Sequence, residues 1–160
     1  MKTLKFTING EPFGKTNMQP MIIGGHARAF QPKKNADYMQ RIITILEHLL
    51  SSEEDSILFE KNISLKVEIY AFYQIPKGHY KLYKKENKVR LDKQGEMMRL
   101  GLVRPNVKPD LDNISKIILD AITKFGRVWR DDSQVVEESI KKYYAEFPKV
   151  VVLVKEAQKK

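Results

Sequence analysis

The chain has 160 residues, 42% of them hydrophobic, with 29 Lys and Arg against 20 Asp and Glu, a net charge of +9 at neutral pH. That length suits one domain, 1–160, with a real core, and it excludes global disorder. With no cysteine, disulfides, thiolate zinc sites and a cysteine nucleophile are excluded; a cytoplasmic location is compatible, and neither a signal peptide nor a membrane span is legible.

Taken in order, KTLKFTIN (2–9) alternates, with Leu4, Phe6 and Ile8 on one side, and reads as a half-buried strand stopped at Asn9-Gly10. Residues 10–31 are loop-like. Met21-Ile22-Ile23 and Ala29-Phe30 suggest short edge strands of a hairpin around Gly24-Gly25. Lys15, Asn17, Arg28 and His26 can reach phosphate from such a loop, although for His26 plain turn chemistry is preferred. Pro32 opens a helix to about Leu50, with Tyr38, Ile42, Ile45, Leu46 and Leu49 as its core face. Residues 51–55 read as an exposed linker. From Ile63 to Ile75 the chain alternates again, long enough for a central strand.

Residues 77–108 carry ten basic and three acidic side chains, seven of the nine net positive charges. This asymmetry points to a polyanionic partner, with a solvated, solubilising surface as the alternative. Within it, residues 79–100 have helical character. Tyr80, Leu82, Tyr83 and Leu91 interleave with Lys81, Lys84, Lys85, Lys88 and Arg90. Such a mixture suits backbone binding with stacking on unpaired bases, or a surface helix packed on the sheet.

From Lys108 to Gln134 two acidic clusters, Asp110 with Asp112 and Asp131 with Asp132, flank an amphipathic helix whose apolar face is Ile114, Ile118, Ala121, Ile122 and Phe125. Pro109 stands at the expected helix start, and Asp112, Lys116 and Asp120 share the opposite face. Asp110 and Asp112 can point at one spot only if Asp110 precedes the helix or lies in its first turn. Gly126 ends the helix, and Val128-Trp129-Arg130 can return Asp131 or Asp132 to the same end. Carboxylates meeting at one point need a cation, and oxygen ligands of this kind suit Mg²⁺ or Mn²⁺. On a basic chain such a cluster suggests phosphodiester chemistry. Each feature alone has a plainer reading: a cap, a helix ion pair, a turn.

Ser133–Ala145 then reads as a strand, in which Lys142 lies either on the active-site side or as a charge guarding an edge. Val150–Val154 reads as a strand buried on both faces.

KPDLDN, Lys116, Asp120, Ala121 and W-x-DDSQVV together resemble the RusA family of Holliday junction resolvases, most of all its phage-type members in Gram-positive bacteria. The match is dense over 108–136 and continues through Lys142-Tyr143-Tyr144. Pro12, Lys15 and Asn17 fit the family's opening loop loosely, and a basic insertion (77–107) precedes the motif. The resemblance implies a homodimeric, Mg²⁺-dependent endonuclease that cuts four-way DNA. It implies Asp110, Asp112 and Asp132 as metal-binding catalytic residues and Lys116 as the active-site lysine. DNA contacts are expected from Lys15, Asn17, Arg28, Lys81, Lys84, Lys85, Lys88, Arg90, Lys108 and Lys142, with no nucleotide cofactor. The expected fold is α+β: a mixed sheet of four or five strands with two main helices on one face. A less selective nuclease on branched or flap DNA, or a junction-binding protein without turnover, are the alternatives.

Overall fold

The computed structural model describes residues 1–52 and 56–160; part of the expected linker, 53–55, lies outside them. Eight strands and three α-helices follow in chain order among the described residues: β1 (Thr3–Asn9), β2 (Gln19–Ile23), β3 (His26–Phe30), α1 (Lys33–Leu49), β4 (Leu65–Gln74), β5 (Tyr80–Tyr83), β6 (Lys88–Leu91), α2 (Lys93–Arg99), α3 (Leu111–Phe125), β7 (Val135–Ala145) and β8 (Lys149–Glu156). The fold is α+β.

Four strands form a mixed sheet in the order β1-β8-β4-β7. β4 pairs antiparallel with β8 and parallel with β7, which is an edge strand. Its alternation is strict: Leu65, Val67, Ile69, Ala71 and Tyr73 are buried, and the residues between them are half-buried. Period-two side-chain direction puts the buried set on the face that α1 and α3 cover. There Leu4, Phe6 and Ile8 of β1 meet Ile42 and Leu46 of α1 and Ile114, Ile118, Ala121 and Ile122 of α3 in one core. Burying each such side chain contributes roughly 1.5–3 kcal/mol, so this shared layer fixes where α3 lies.

Several expectations need correction. Leu49 is 46% exposed, while Asn35, Met39 and Ile43 are buried in its helix. The strand expected from Ile63 begins at Leu65. β8 is fully buried only at Val150, Val152 and Val154; Val151 and Leu153, on the other face, are half-buried. The basic segment is not mainly helical: β5 and β6 make a hairpin, and only Lys93–Arg99 is helix. Asn87 adopts a left-handed backbone (φ 49°) in the turn, a conformation Asn tolerates better than most residues. Pro109 is not the first helical residue. Asp110 is the N-cap of α3, and Pro109 before it is joined to Lys108 by a cis peptide bond.

Candidate active site

α3 ends at Gly126, whose φ of +80° is the left-handed cap that glycine adopts without strain. At the other end Asp110 has an extended backbone and its side chain makes no capping bond, which leaves the carboxylate free to face outward. Asp112 follows one turn-step inside. Asp110 and Asp112 thus project from a cap and a first turn, where negative charge is favoured by the helix dipole.

Lysines surround this end. Lys108 Nζ donates to Asp110 Oδ2 at 2.7 Å, and this contact, with Lys142 nearby, holds the Asp110 carboxyl below the usual range. Lys116 reaches Asp112 at 3.4 Å across one helical turn. Lys142 projects from β7 on the helix side, donating to the Val107 carbonyl at 2.6 Å and lying over the Tyr73 ring. Burial lowers the pKa of Lys142, while Asp110 acts to raise it. Of the two placements open for Lys142, the fold gives the one beside Asp110, although its strand is also an edge. Tyr73 donates its hydroxyl to the Pro109 carbonyl at 3.1 Å, and burial pushes its pKa up to about 12. It therefore stays a neutral donor that fixes the residue before the cap.

Trp129 is fully buried and donates Nε1 to Thr123 Oγ1 at 2.9 Å, which ties it to the last turns of α3. Asp132 follows in a 3-10 turn, 132–134. Burial first, then the neighbouring charges of Asp131 and Asp120, raise its pKa. Asp120 of α3 is thus among the charges close enough to act on Asp132. Among the described residues, no three His, Cys, Asp or Glu side chains are gathered as a metal cluster. The donor chemistry nevertheless fits a hard divalent ion: carboxylate oxygens only, exposed, and steadied by single lysine contacts. Asp131 is committed elsewhere, since its side chain caps the turn by accepting from Ser133 N. Gln134, buried, accepts from the amides of Arg130 and Asp131 and donates to the carbonyls of Glu60 and Ile63. That clamp gives the Asp-Asp-Ser-Gln run a structural reason beside a chemical one.

The opening loop lies against α3. Lys15 N donates to the Asn113 carbonyl at 2.9 Å, and Lys15 Nζ reaches Asp120 Oδ2 at 2.5 Å. Gly14 leaves no room for a side chain, because a Cβ there would stand 2.5 Å from Pro109 Cβ. Asn17 lines a hollow of about 300 Å³ with Met18, Asn113 and Lys116. Lys15 and Asn17 are therefore brought to the acidic helix. Arg28 is placed on the exposed β3, and Lys81, Lys84, Lys85, Lys88 and Arg90 on the β5–β6 hairpin. Arg90 stacks 3.9 Å above the Tyr83 ring and pairs with Glu86. Sequence reasoning missed the residue that holds the loop. Asn35 of α1, fully buried, accepts from Thr16 N and Thr16 Oγ1 and donates to the Thr16 carbonyl. An Asn in the first turn of an amphipathic helix was the only signal.

A basic α+β chain that presents carboxylates and lysines at one helix start has the makings of a metal-assisted nuclease. Residues 9–155 match the model of the family described as Endodeoxyribonuclease RusA. The chain belongs to that family of Holliday junction resolvases, and is an endonuclease of DNA recombination that depends on a divalent metal. It is also 30% identical over 156 residues to the uncharacterized protein YqaN of Bacillus subtilis (strain 168), covering 98% of each chain. No described helix is long and apolar enough to cross a membrane.

Proposed function

We propose that the chain acts as a homodimer, with Mg²⁺ as its metal and Mn²⁺ as a substitute, and resolves four-way DNA by paired symmetric nicks. The observation that carries this reading is the exposed start of α3, where Asp110, Asp112 and Lys116 stand beside Lys108 and Lys142 on an otherwise basic chain. Asp110, Asp112 and Asp132 would hold the ion. When bound, Mg²⁺ supplies Lewis-acid stabilisation of phosphate charge and makes water more acidic. Lys116 orients the scissile phosphate, and Lys108 and Lys142 offset its charge and that of the carboxylates. Lys15, Asn17, Arg28, Lys81, Lys84, Lys85, Lys88 and Arg90 take the flanking backbone. Hydrolysis consumes only water, so no nucleotide cofactor is required. A twofold dimer presents two such sites to a junction that needs two cuts.

Initial rates on a four-way junction, a flap and a linear duplex of matched sequence, with Mg²⁺, test this reading. Marked preference for the junction, with nicks paired across it, supports it. Equal rates on all three indicate a less selective nuclease. Junction binding that survives EDTA, with no product in Mg²⁺ or Mn²⁺, indicates a binding protein without turnover.

A further inference from the structure

The β2–β3 hairpin takes no part in the core. It is a two-stranded sheet of its own, and all ten of its strand residues are exposed. An isolated hairpin is at best marginally stable in water, so one that displays apolar side chains is built to be covered. The register pairs Pro20 with Ala29 and Ile22 with Ala27, which gives one wholly apolar side. The opposite side carries Met21, Ile23 and Phe30 with His26 and Arg28. Ile22, next to the tip, is 80% exposed. The tip itself is narrow: Gly24 and Gly25 both take positive φ, as a tight two-residue turn requires, and open space surrounds them.

Charge decides what covers this arm. Residues 12–36 hold Lys15, Arg28, Lys33 and Lys34 and no acidic residue. A second copy of the chain also carries +9 and would meet the arm with like charge. A nucleic acid would meet it with phosphate. Continuity points the same way, because Asn17 and Met18, just before β2, line the hollow beside Asn113 and Lys116 of the acidic helix. DNA seated there lies at the root of the arm, and five strand residues reach about 17 Å beyond it.

We propose that the β2–β3 hairpin is a wedge that enters the branch point of the DNA, its apolar side, led by Ile22, lying against unstacked bases while Arg28 and His26 on the opposite side face the backbone. The proposal rests on the junction-cutting reading above and adds how a branch is told from a duplex. Apolar side chains inserted at a base step are a general means of holding DNA unstacked, and bases already unpaired at a branch are the least costly to separate.

The test uses the full chain and a four-way junction carrying 2-aminopurine beside the branch point, bound in EDTA, with nicking in Mg²⁺ measured in parallel. Wild type should raise the 2-aminopurine fluorescence several-fold. Ile22→Ser should abolish that rise and weaken junction binding about tenfold, while affinity for linear duplex stays within about twofold. Ile22 is exposed, so the variant should keep the wild-type melting temperature, read by circular dichroism. The variant overturns the wedge by an undiminished rise, by equal losses on junction and duplex, or by sedimenting as a smaller species at unchanged junction affinity, which makes the arm a contact between copies. Wild-type nicking without any rise overturns the wedge alone. Absence of both nicking and junction binding overturns the wedge together with the reading beneath it.

Discussion

Lys15 Nζ lies 2.5 Å from Asp120 Oδ2, and the pair joins two parts of the chain 105 residues apart. It fastens the opening loop to the middle of α3, on the helix that carries Asp110, Asp112 and Lys116. Both side chains are about a third exposed (30% and 37%), so solvent screens the pair and its contribution to stability is about 0.2–1 kcal/mol. Lys15→Met should therefore shift the denaturation midpoint little while lowering junction cleavage clearly. Equal loss of stability and activity would make Lys15 a structural tie and no more.

The Asn35 clamp predicts the reverse weighting. Its buried amide meets the amide, hydroxyl and carbonyl of Thr16, a residue that is itself exposed. Removing it forfeits these three bonds at about 1–3 kcal/mol in all. Asn35→Ala should lose stability of that order in urea melts and also lose cleavage, because the loop bearing Lys15 and Asn17 is released. A variant as stable as wild type would show that Thr16 is held by something else.

These two contacts also show where sequence reading reaches its limit. β1, β4 and α3 were legible because their periods are long and clean: Leu4-Phe6-Ile8, Leu65 to Tyr73, and Ile114 to Ile122 each repeat for several turns or pleats. The hairpin at 80–91 was misread because Tyr80, Tyr83 and Leu91 fall at spacings a helix would also give, and the turn signal was a single Asn87. The Asp110–Asp112 pair was legible, since an extended N-cap lets both project from one helix end. The contacts that hold the return segment carrying Asp132, Trp129 on Thr123 and the Gln134 clamp, were not, because no local pattern encodes them. Nor could Lys15–Asp120 or Asn35–Thr16 be foreseen, as each depends on how α1 and α3 pack.

Tyr38 supplies a pH test free of metal. Its hydroxyl is buried without a hydrogen-bond partner, and burial pushes its pKa up to about 12, with Arg41 opposing. A folded-state pKa above the unfolded value of about 10 means that ionisation favours unfolding. Stability should hold below pH 10 and fall as pH rises from about 10 toward 12. Tyr38→Phe removes an unpaired polar group, so it should stabilise the fold by about 1 kcal/mol at neutral pH and flatten the alkaline loss. Thermal melts between pH 8 and 11 check both; an unaltered alkaline slope contradicts the assignment.

Lys116 separates phosphate positioning from charge balance. Its ammonium is exposed and 3.4 Å from Asp112, so the pair itself contributes at most a few tenths of a kcal/mol. Lys116→Ala should leave folding and junction affinity near wild type and reduce single-turnover cleavage about 100-fold. Unchanged turnover would leave Lys116 only a counter-charge.

The central claim is that the carboxylates of the α3 start, with Asp132, hold the ion that cleaves the junction. The most direct measurement maps nicks on a mobile four-way junction by wild type and Asp112→Asn, each with Mg²⁺ and with EDTA, at protein concentrations where both bind. The account predicts paired symmetric nicks from wild type in Mg²⁺ alone, and none from Asp112→Asn despite intact binding. Nicking by Asp112→Asn at the wild-type rate, or nicking by wild type in EDTA, would contradict it.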